Sequence, residues 1–372
     1  MKKPLLFLLI LLSLLSGCAS RPPAKDFSDL QIVGSMDLKY ATQFSADYLA
    51  DGCAVVSIVG SERFLVVPEG QKPPENIDED IVVLHQPIEN IYLAATSAMC
   101  LFDALDALDQ ISMSGTKAEG WYIENARAAM ESGAIVYAGK YSAPDYELIM
   151  AKKCGLAIES TMILQAPDVK EKLEDLGISV LVERSSYEAH PLGRTEWMKL
   201  YGLLAGKTEL AETLFNKQMS YLEGMPAESK TKTVAFFYIN SSGNAVVRKN
   251  GDYVTKMIEL AGGKYVFSDL GGDNATGSVN LDMERFYAEA KDADLIIYNS
   301  SIDGEVHTVD ELLKKSHLIA DFKAVANGNV WCTSKNLFQE TTEFGLLISD
   351  MNRIITDNWD DSTEFNFLYR LR

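Results

Sequence analysis

The stretch TELAETLFNKQMSYLE, residues 208–223, decides how the rest of the chain is organised. Its apolar side chains recur at helical spacing along one side, which predicts a helix packed against protein. Thr208 is the predicted N-cap, and Gly224 and Pro226 end the helix. At about 1.5 Å per residue the helix spans roughly 24 Å, so it can join two lobes with a cleft between them. An ordinary crossover helix inside one α/β domain is the alternative.

Short apolar strands alternate with helices on both sides of this segment. Before it, strands are predicted at 81–84, 134–137, 156–159 and 178–182, and helices at 97–108 with a Ser97 cap, 145–153, 167–176 and 195–204. After it, strands are predicted at 234–239, 295–298 and 330–333, and helices at 252–260, 309–313 and 342–357. Such alternation indicates mainly parallel sheets covered by helices.

We therefore predict an α/β fold of two Rossmann-like lobes joined by a single long spine helix. The predicted boundaries are 30–205 for the N-terminal lobe, 206–226 for the connecting helix and 227–372 for the C-terminal lobe. A small antiparallel ribbon is expected within 37–68, and the sequence assigns it no role.

The N-terminal residues 1–18, MKKPLLFLLILLSLLSGC, have the pattern of a secretory signal. The apolar run is too short to span a bilayer, which takes about 20 residues. Its end, LSGC, resembles the bacterial lipoprotein signal, in which the cysteine is acylated and becomes the mature N-terminus. This predicts a signal peptide over 1–17, lipidation of Cys18 and a polar tether over 18–29. The expected location is the extracytoplasmic face of the cell membrane, through a lipid anchor.

Composition excludes some partners. The chain has 34 basic and 53 acidic side chains, a net charge of −19, which repels nucleic acid. Apolar residues make up 47% of the chain, enough for folded cores. Its other cysteines, at positions 53, 100, 154 and 332, are widely spaced. Buried single thiols are predicted for them, and two disulfides are the alternative.

No catalytic or metal-binding motif is complete. Residues 202–208, GLLAGKT, approach a phosphate-binding loop but have only three residues between the two glycines where the loop needs four. The histidines, at 85, 190, 307 and 317, have no paired ligand spacing. We therefore predict no catalysis, no bound metal ion held by the chain alone and no cofactor.

The string RSSYEAHPLGRTEW, residues 184–197, follows a predicted strand and so leaves the carboxyl edge of a sheet, where ligands bind. Its Arg184, Tyr187 and Arg194 could bind an anionic or oxygen-rich ligand. The alternative is a polar loop in which Thr195 caps the next helix.

The two halves share a further detail, because Glu147 and Glu284 each open a short helix that precedes a buried strand. Stabilisation of the helix dipole alone would also explain them.

Together these features resemble the substrate-binding lipoproteins of bacterial ABC importers, specifically the helical-backbone group that binds iron-siderophore, haem and cobalamin-type chelates. The resemblance covers residues 86–372. It is carried by YAGKYSAPDYE (137–147), HPLGRTEW (190–197), AGG (261–263) and MER (283–285).

The resemblance implies functions for individual residues. Glu147 and Glu284 match the glutamates that dock on the permease, one in each lobe. Loops at the strand ends would offer ligand contacts from Trp121, Tyr122, Lys140, Tyr141, Arg184, Tyr187 and Arg194 in the first lobe, and from Tyr238, Arg248, Asn299 and Phe338 in the second. The implied partners are a metal chelate and an ABC permease with its ATPase. A binder of a small oxyanion such as molybdate, or a surface α/β enzyme, remains an alternative.

Overall fold

The computed structural model describes residues 31–61, 63–74, 77–78, 80–226, 231–272 and 275–372. The predicted signal peptide, the lipidation site Cys18 and the whole predicted tether lie outside these residues. Within the described ranges, no helix is both long and apolar enough to cross a membrane.

The N-terminal sheet precedes the two lobes. Its strands are β1 (Ile32–Ser35), β2 (Phe44–Leu49), β3 (Ala54–Ile58), β4 (Arg63–Val67) and β5 (Ile81–His85). The first four pair antiparallel in chain order, and β5 lies parallel to β4. The predicted ribbon is therefore part of a larger sheet, and the strand predicted at 81–84 belongs to it.

The first lobe is built on a parallel sheet with the strand order β12-β11-β6-β7-β8. Its strands and an accompanying hairpin are β6 (Ile91–Leu93), β7 (Ile111–Ser114), β8 (Val136–Tyr137), β9 (Gly139–Lys140), β10 (Ala143–Pro144), β11 (Leu156–Ser160) and β12 (Ser179–Glu183). Its helices are α1 (Met99–Ala104), α2 (Glu124–Glu131), α3 (Tyr146–Ala151) and α4 (Pro167–Asp175).

The predicted Ser97 cap is wrong. Helix α1 begins at Met99, with Ala98 in the cap position and no side-chain cap bond. The Ser97 hydroxyl instead donates to the Glu183 carboxylate at 2.7 Å. Burial of Glu183 at the end of β12 requires hydrogen-bond donors, and this competing demand explains why the serine does not cap the helix.

Two consecutive helices, α5 (Pro191–Leu204) and α6 (Thr208–Ser220), connect the lobes. A Cβ on Gly202 of α5 would lie 2.5 Å from the Ala211 Cβ of α6, so only glycine permits this close approach. The predicted Thr208 cap is wrong, because Thr208 is already helical and Lys207 occupies the cap position without a side-chain bond. The Lys207 N–H donates to the Gly202 carbonyl at 2.7 Å, which turns the chain directly into α6.

The second lobe has a mixed sheet with the strand order β16-β14-β13-β17-β18-β19, and β15 also pairs with β13. Its strands are β13 (Thr233–Ile239), β14 (Ala245–Arg248), β15 (Lys264–Tyr265), β16 (Ser278–Leu281), β17 (Leu295–Tyr298), β18 (Val330–Thr333) and β19 (Leu368–Arg370). Its helices are α7 (Tyr253–Leu260), α8 (Met283–Ala290), α9 (Ser300–Asp303), α10 (Val309–Lys315), α11 (Lys323–Ala326) and α12 (Phe344–Ile355).

The predicted fold class is confirmed. Strands β13, β15, β17 and β18 are parallel, and the sequence did not predict the antiparallel β14, β16 and β19. The cysteines at 53, 100, 154 and 332 are buried and unpaired in the described part of the chain.

Candidate functional site

The carboxyl ends of strands from both lobes meet at a seam. Gln339, which follows β18 of the second lobe, donates its side-chain amide to the Gly120 carbonyl of the first lobe at 2.9 Å. The same side chain accepts the Tyr122 backbone N–H at 2.8 Å. Since parallel α/β sheets bind ligands at this edge, the seam is the candidate binding region.

Contacts with α5 close the inner part of the seam. The Thr195 hydroxyl donates to the Thr341 carbonyl at 2.8 Å, and the Thr341 hydroxyl lies 3.2 Å from the Cys100 sulfur. All three side chains are buried. Polar groups therefore connect the lobes where solvent is excluded, and each has a partner.

Two arginines from different lobes meet two aromatic rings beside these contacts. The Arg194 guanidinium lies 3.6 Å from the centre of the Tyr253 ring. The Arg248 guanidinium lies 5.8 Å from the same ring and 5.3 Å from the Phe338 ring. We call Arg194, Arg248, Tyr253 and Phe338 the arginine cluster. It combines positive charge with aromatic faces at the boundary between the lobes.

Local sequence places both sides of the cluster. Asp252 is the N-cap of α7, accepting the Val254 N–H at 3.1 Å, and it also accepts the Gly277 N–H at 3.0 Å. This cap starts the helix at Tyr253, so the tyrosine faces the first lobe. The Asp252 carboxylate also lies 3.8 Å from the Arg248 guanidinium. One aspartate thus fixes the helix start and orients an arginine.

On the first-lobe side of the cluster, the alternative in which Thr195 caps the helix is wrong. Helix α5 begins at Pro191 with His190 as its cap, so Thr195 lies inside the helix and does not cap it. Proline suits the first helical position because its missing N–H needs no partner there. Arg194 is consequently in the first turn of α5 and not in a free loop. Burial lowers the pKa of Arg194, and the neighbouring Tyr253 opposes that effect.

His190 is held as a neutral ring. Its Nδ1 accepts the Leu192 N–H at 3.2 Å, and the ring stacks on Tyr40 with 4.3 Å between the ring centres. Burial, followed by the charge of Lys256, lowers the pKa of His190 to about 4. Among the described residues, no group of three or more histidine, cysteine, aspartate or glutamate side chains could hold a metal ion.

Two cavities lie between residues of both lobes. One of about 400 Å³ is lined by Glu119, Trp121, Tyr122, Glu124, Arg127, Glu305, Ser334, Lys335 and Asn336. The other, of about 320 Å³, is lined by Ala189, His190, Asn250, Gly251, Asp252, Lys256 and Glu259. Each is at the lower end of the size range of small-molecule sites.

Large apolar side chains are exposed at the same strand ends. Those at the end of a parallel strand or in the segment after it are between 40% and 58% exposed and comprise Tyr122, Tyr137, Met162, Leu164, Tyr187 and Ile302. Tyr137, Met162, Leu164 and Ile302 were not among the predicted ligand residues, since isolated apolar or aromatic residues carry no distinguishing sequence pattern. Exposed apolar groups gathered at a strand edge indicate a binding surface.

Some buried polar atoms near the seam lack partners. Among the described residues, the Trp121 indole N–H, the Asn299 amide nitrogen and the Ser301 hydroxyl have no hydrogen-bond partner. Trp121 and Asn299 are both predicted ligand residues, and each is 1% exposed. An unpaired buried donor is costly, so a ligand that accepted these bonds would gain affinity.

The remaining predicted ligand residues are spread more widely. Lys140 and Tyr141 lie at the hairpin of β9 and β10, where Gly139 adopts φ +82° and a Cβ would lie 2.3 Å from the Ala143 carbonyl oxygen. Tyr238 is half-buried in β13. No described contact joins these three residues to the arginine cluster.

Arg184 and Tyr187 contact each other, with the guanidinium 4.6 Å from the ring centre. The Arg184 Nε also donates to the Gln43 side chain of the N-terminal sheet at 3.3 Å. Arg184 therefore connects the predicted ligand loop to that sheet.

The two predicted docking glutamates have matching surroundings. Glu147 is exposed in the first turn of α3, which Asp145 caps by accepting the Leu148 N–H at 3.0 Å. Glu284 is exposed in the first turn of α8, which Asp282 caps in the same way at 2.8 Å. Each lobe thus presents a carboxylate on a capped helix start.

Comparison with known proteins gives relatives of similar length. The chain is 26% identical to an uncharacterized lipoprotein of Methanocaldococcus jannaschii, covering 91% of this chain and 87% of the relative. A second uncharacterized lipoprotein of that organism is also 26% identical, over 77% of this chain and 73% of the relative.

Solved structures with similar folds include a periplasmic heme-binding protein of Vibrio cholerae, with a TM-score of 0.57, 17% identity and coverage of 70% of this chain and 97% of that one. A periplasmic heme-binding protein of Pseudomonas aeruginosa has a TM-score of 0.59, 13% identity and coverage of 76% and 98%. A periplasmic catecholate-siderophore binding protein of Vibrio cholerae has a TM-score of 0.55, 12% identity and coverage of 71% and 92%. At these identities the likeness concerns the fold.

The family model described as periplasmic binding protein matches residues 95–337, which is more than half of the chain and includes the strand ends of both lobes. With the two-lobed fold and the seam between strand ends, this match shows that the chain belongs to the periplasmic binding protein family, the solute-binding proteins of ABC importers.

Proposed function

We propose that this protein is a membrane-anchored receptor that captures a metal chelate between its lobes and delivers it to an ABC permease. The arginine cluster carries the proposal. Arg194 comes from the first lobe and Arg248 from the second, so a negatively charged ligand at the seam would be bound by both lobes at once. Binding of that kind favours one relative position of the lobes.

The chemistry of the cluster suits a chelate with a flat or aromatic part. Tyr253 and Phe338 supply rings for stacking, and the arginines supply paired donors for carboxylate or catecholate oxygens. The exposed apolar side chains at the strand ends add surface for the same kind of ligand. The heme- and catecholate-siderophore-binding names of structurally similar proteins agree with this class.

Titration of a ligand panel tests the binding. The mature chain, residues 18–372 with Cys18→Ser, is titrated with haemin, cyanocobalamin, a ferric catecholate complex and sodium molybdate while tryptophan fluorescence is recorded. We expect saturable binding of one chelate. Arg248→Gln should weaken it by about 10- to 100-fold, since a hydrogen bond to a charged group contributes about 1.5–3 kcal/mol.

Arg285→Gln is the matched control, because Arg285 is exposed on α8 and pairs with Glu289 at 2.7 Å. It should bind the chelate with the affinity of the unsubstituted chain. Binding of molybdate alone would favour the oxyanion alternative. Failure of every chelate to bind, or full affinity in Arg248→Gln, would contradict the proposal.

Delivery to the permease is tested separately in proteoliposomes that contain the cognate permease and ATPase. Replacement of Glu147 and Glu284 by alanine should abolish ligand uptake and leave ligand affinity unchanged, because both side chains are exposed and no described hydrogen bond, ion pair or ring contact joins them to the arginine cluster. A double replacement of the exposed Glu171 and Glu209 is the control for lost surface charge. Normal uptake by the first variant would refute the docking assignment.

A further inference from the structure

The segment of residues 39–43, between β1 and β2, directs its backbone N–H groups at two buried carboxylates of the first lobe. Glu196 of α5 accepts hydrogen bonds from the N–H groups of Lys39, Tyr40 and Ala41, at distances from 2.8 to 3.1 Å. Its side chain is fully buried. Successive N–H groups that converge in this way form an anion-binding concavity in the backbone.

Glu188 occupies the second half of the same concavity. One of its oxygens accepts the Gln43 N–H at 2.9 Å and the Trp197 indole N–H at 3.0 Å. The other accepts both the N–H and the hydroxyl of Thr42, each at 2.9 Å. Glu188 is 1% exposed. Both oxygens of this carboxylate therefore face donors only.

The backbone of Glu188 leads directly to the arginine cluster. Its carbonyl accepts the Arg194 Nε at 3.3 Å, and the Ser186 carbonyl accepts the Arg194 Nη2 at 2.6 Å. These two bonds hold the guanidinium whose face lies on the Tyr253 ring. The orientation of Arg194 thus depends on where residues 186–188 lie.

The N-terminal segment packs closely against the first turn of α5 and the Glu188 side chain. A Cβ on Gly193 would lie 2.9 Å from the Tyr40 carbonyl oxygen and 3.3 Å from a Glu188 carboxylate oxygen. The side chain of Gln43 additionally accepts the Arg184 Nε at 3.3 Å. Both arginines of the predicted ligand loop are therefore linked to residues 39–43, one directly and one through Glu188.

From these contacts we infer that Glu188 is a positioning residue through which the N-terminal sheet holds Arg194 in place for ligand binding. The sheet, for which the sequence suggested no role, thereby becomes part of the binding site's support. The inference rests on the proposed function where ligand affinity is concerned.

Glu188→Gln tests it with little change in shape. The glutamine amide must direct its NH₂ group at one of the two sets of donors, so at least one set loses its acceptor. Glu196→Gln is the matched control, since it disturbs the same N-terminal segment at residues 39–41. No described hydrogen bond joins Glu196, or its ion-pair partner Lys199 at 3.3 Å, to the loop at 186–188. Both variants should lose thermal stability.

Amide hydrogen exchange of the mature chain supplies a readout that needs no ligand. In the unsubstituted chain the Tyr187 N–H donates to Arg184 at 2.9 Å, and the Glu188 N–H donates to Ser185 at 3.0 Å. Glu188→Gln should speed exchange in the peptide that covers 184–190 by about tenfold or more, a moderate loss of local protection. Glu196→Gln should leave that peptide unchanged.

Binding of haemin and of a ferric catecholate complex is measured on the same samples. We expect Glu188→Gln to weaken the chelate that binds by about tenfold, and Glu196→Gln to retain its affinity. If Glu188→Gln does not fold, Thr42→Val removes a single donor and should give smaller changes in the same direction.

Equal exchange in Glu188→Gln and the unsubstituted chain, or equal effects of the two glutamine variants, would overturn the inference. If the unsubstituted chain binds none of the probes, the proposed function fails, and the exchange comparison still decides whether Glu188 positions the loop.

Discussion

Replacing the buried Glu159 by glutamine should stabilise the protein relative to the unsubstituted chain, by an amount that grows as the pH rises. Glu159 lies in β11, is 0% exposed and has two carboxylate oxygens without hydrogen-bond partners among the described residues. Burial raises its pKa from 4.5 to about 8. In the unfolded chain the same group ionises near its ordinary value, so the folded protein retains a proton that the unfolded chain releases.

The sign and size of the effect follow from that difference. Below pH 4.5 the carboxyl group is protonated in both states, so it makes no pH-dependent contribution to stability there. Between 4.5 and about 8 the unfolded chain binds fewer protons, so the free energy of unfolding falls by about 1.4 kcal/mol for each pH unit. The complete window corresponds to about 5 kcal/mol, of which about 3 kcal/mol has been lost at pH 7.

Glu159→Gln removes the titration and keeps the shape. The expected result is a free energy of unfolding close to that of the unsubstituted chain at pH 4.5, and higher by about 3 to 5 kcal/mol at pH 8. Urea unfolding followed by fluorescence at several pH values measures the difference. The pKa values of the buried Glu183 and the partly buried Glu340 are also raised, but both groups occur in both chains and cancel in the comparison.

Glu171→Gln is the control, because Glu171 is exposed on α4 of the same lobe. It should leave the pH dependence unchanged. If Glu159→Gln gave the same slope of stability against pH as the unsubstituted chain, the carboxylate would have to be solvated or paired, and the reasoning from its burial would be refuted.

Two further replacements probe the contacts between the lobes. Gly345→Ala should lower the melting temperature by several degrees, because its Cβ would lie 2.1 Å from the Gln218 carbonyl oxygen of α6 and overpacking costs about 1–3 kcal/mol. Gly155→Ala is the control, because the space around Gly155 is open. Equal melting temperatures of the two variants would contradict the described packing. Tyr253→Leu should weaken chelate binding by about 2- to 30-fold in titrations, because the stacking of Arg194 contributes about 0.5–2 kcal/mol; undiminished affinity would exclude the ring from the site.

The parallel strands could be predicted from the sequence because they are buried on both faces. Strands β17 and β18 occupy the predicted residues 295–298 and 330–333, and every residue in them is buried. The antiparallel β16 has three of four residues at least partly exposed, so it lacks the continuous apolar run that marks a central strand. Its place in the sheet depends on pairing with β14, which local sequence does not encode.

The candidate binding region could be predicted only in part. Arg194, Arg248 and Phe338 were predicted at strand or loop ends, and in the structure both arginines lie against the Tyr253 ring while Phe338 contacts Arg248. Tyr253 was missed because its position depends on the Asp252 cap, although an aromatic residue directly after a predicted cap was a usable signal.

Glu188 and Glu196 show where sequence reasoning ends. Charged residues in a polar loop and in a helix are expected at the surface, yet both are buried. Their backbone donors come from residues 39–43, roughly 150 positions earlier in the chain. A concavity made of backbone N–H groups does not require particular side chains, so no sequence pattern marks it.

Contacts of helix α6 with both lobes limit how the lobes can move. Helix α6 is fixed to the first lobe by the buried Ala211 and Phe215. It is also fixed to the second lobe, because the Gln218 side chain donates to Glu343 at 2.9 Å and accepts the Leu346 N–H at 3.3 Å. Bending this helix would leave the buried Gln218 amide without these partners, at a cost of about 1–3 kcal/mol. Ligand entry should therefore proceed by rearrangement of exposed side chains at the seam and not by a wide hinge opening. If the proposed delivery holds, a permease would then distinguish loaded from empty receptor through small changes in the spacing of Glu147 and Glu284, the two glutamates predicted to dock on it.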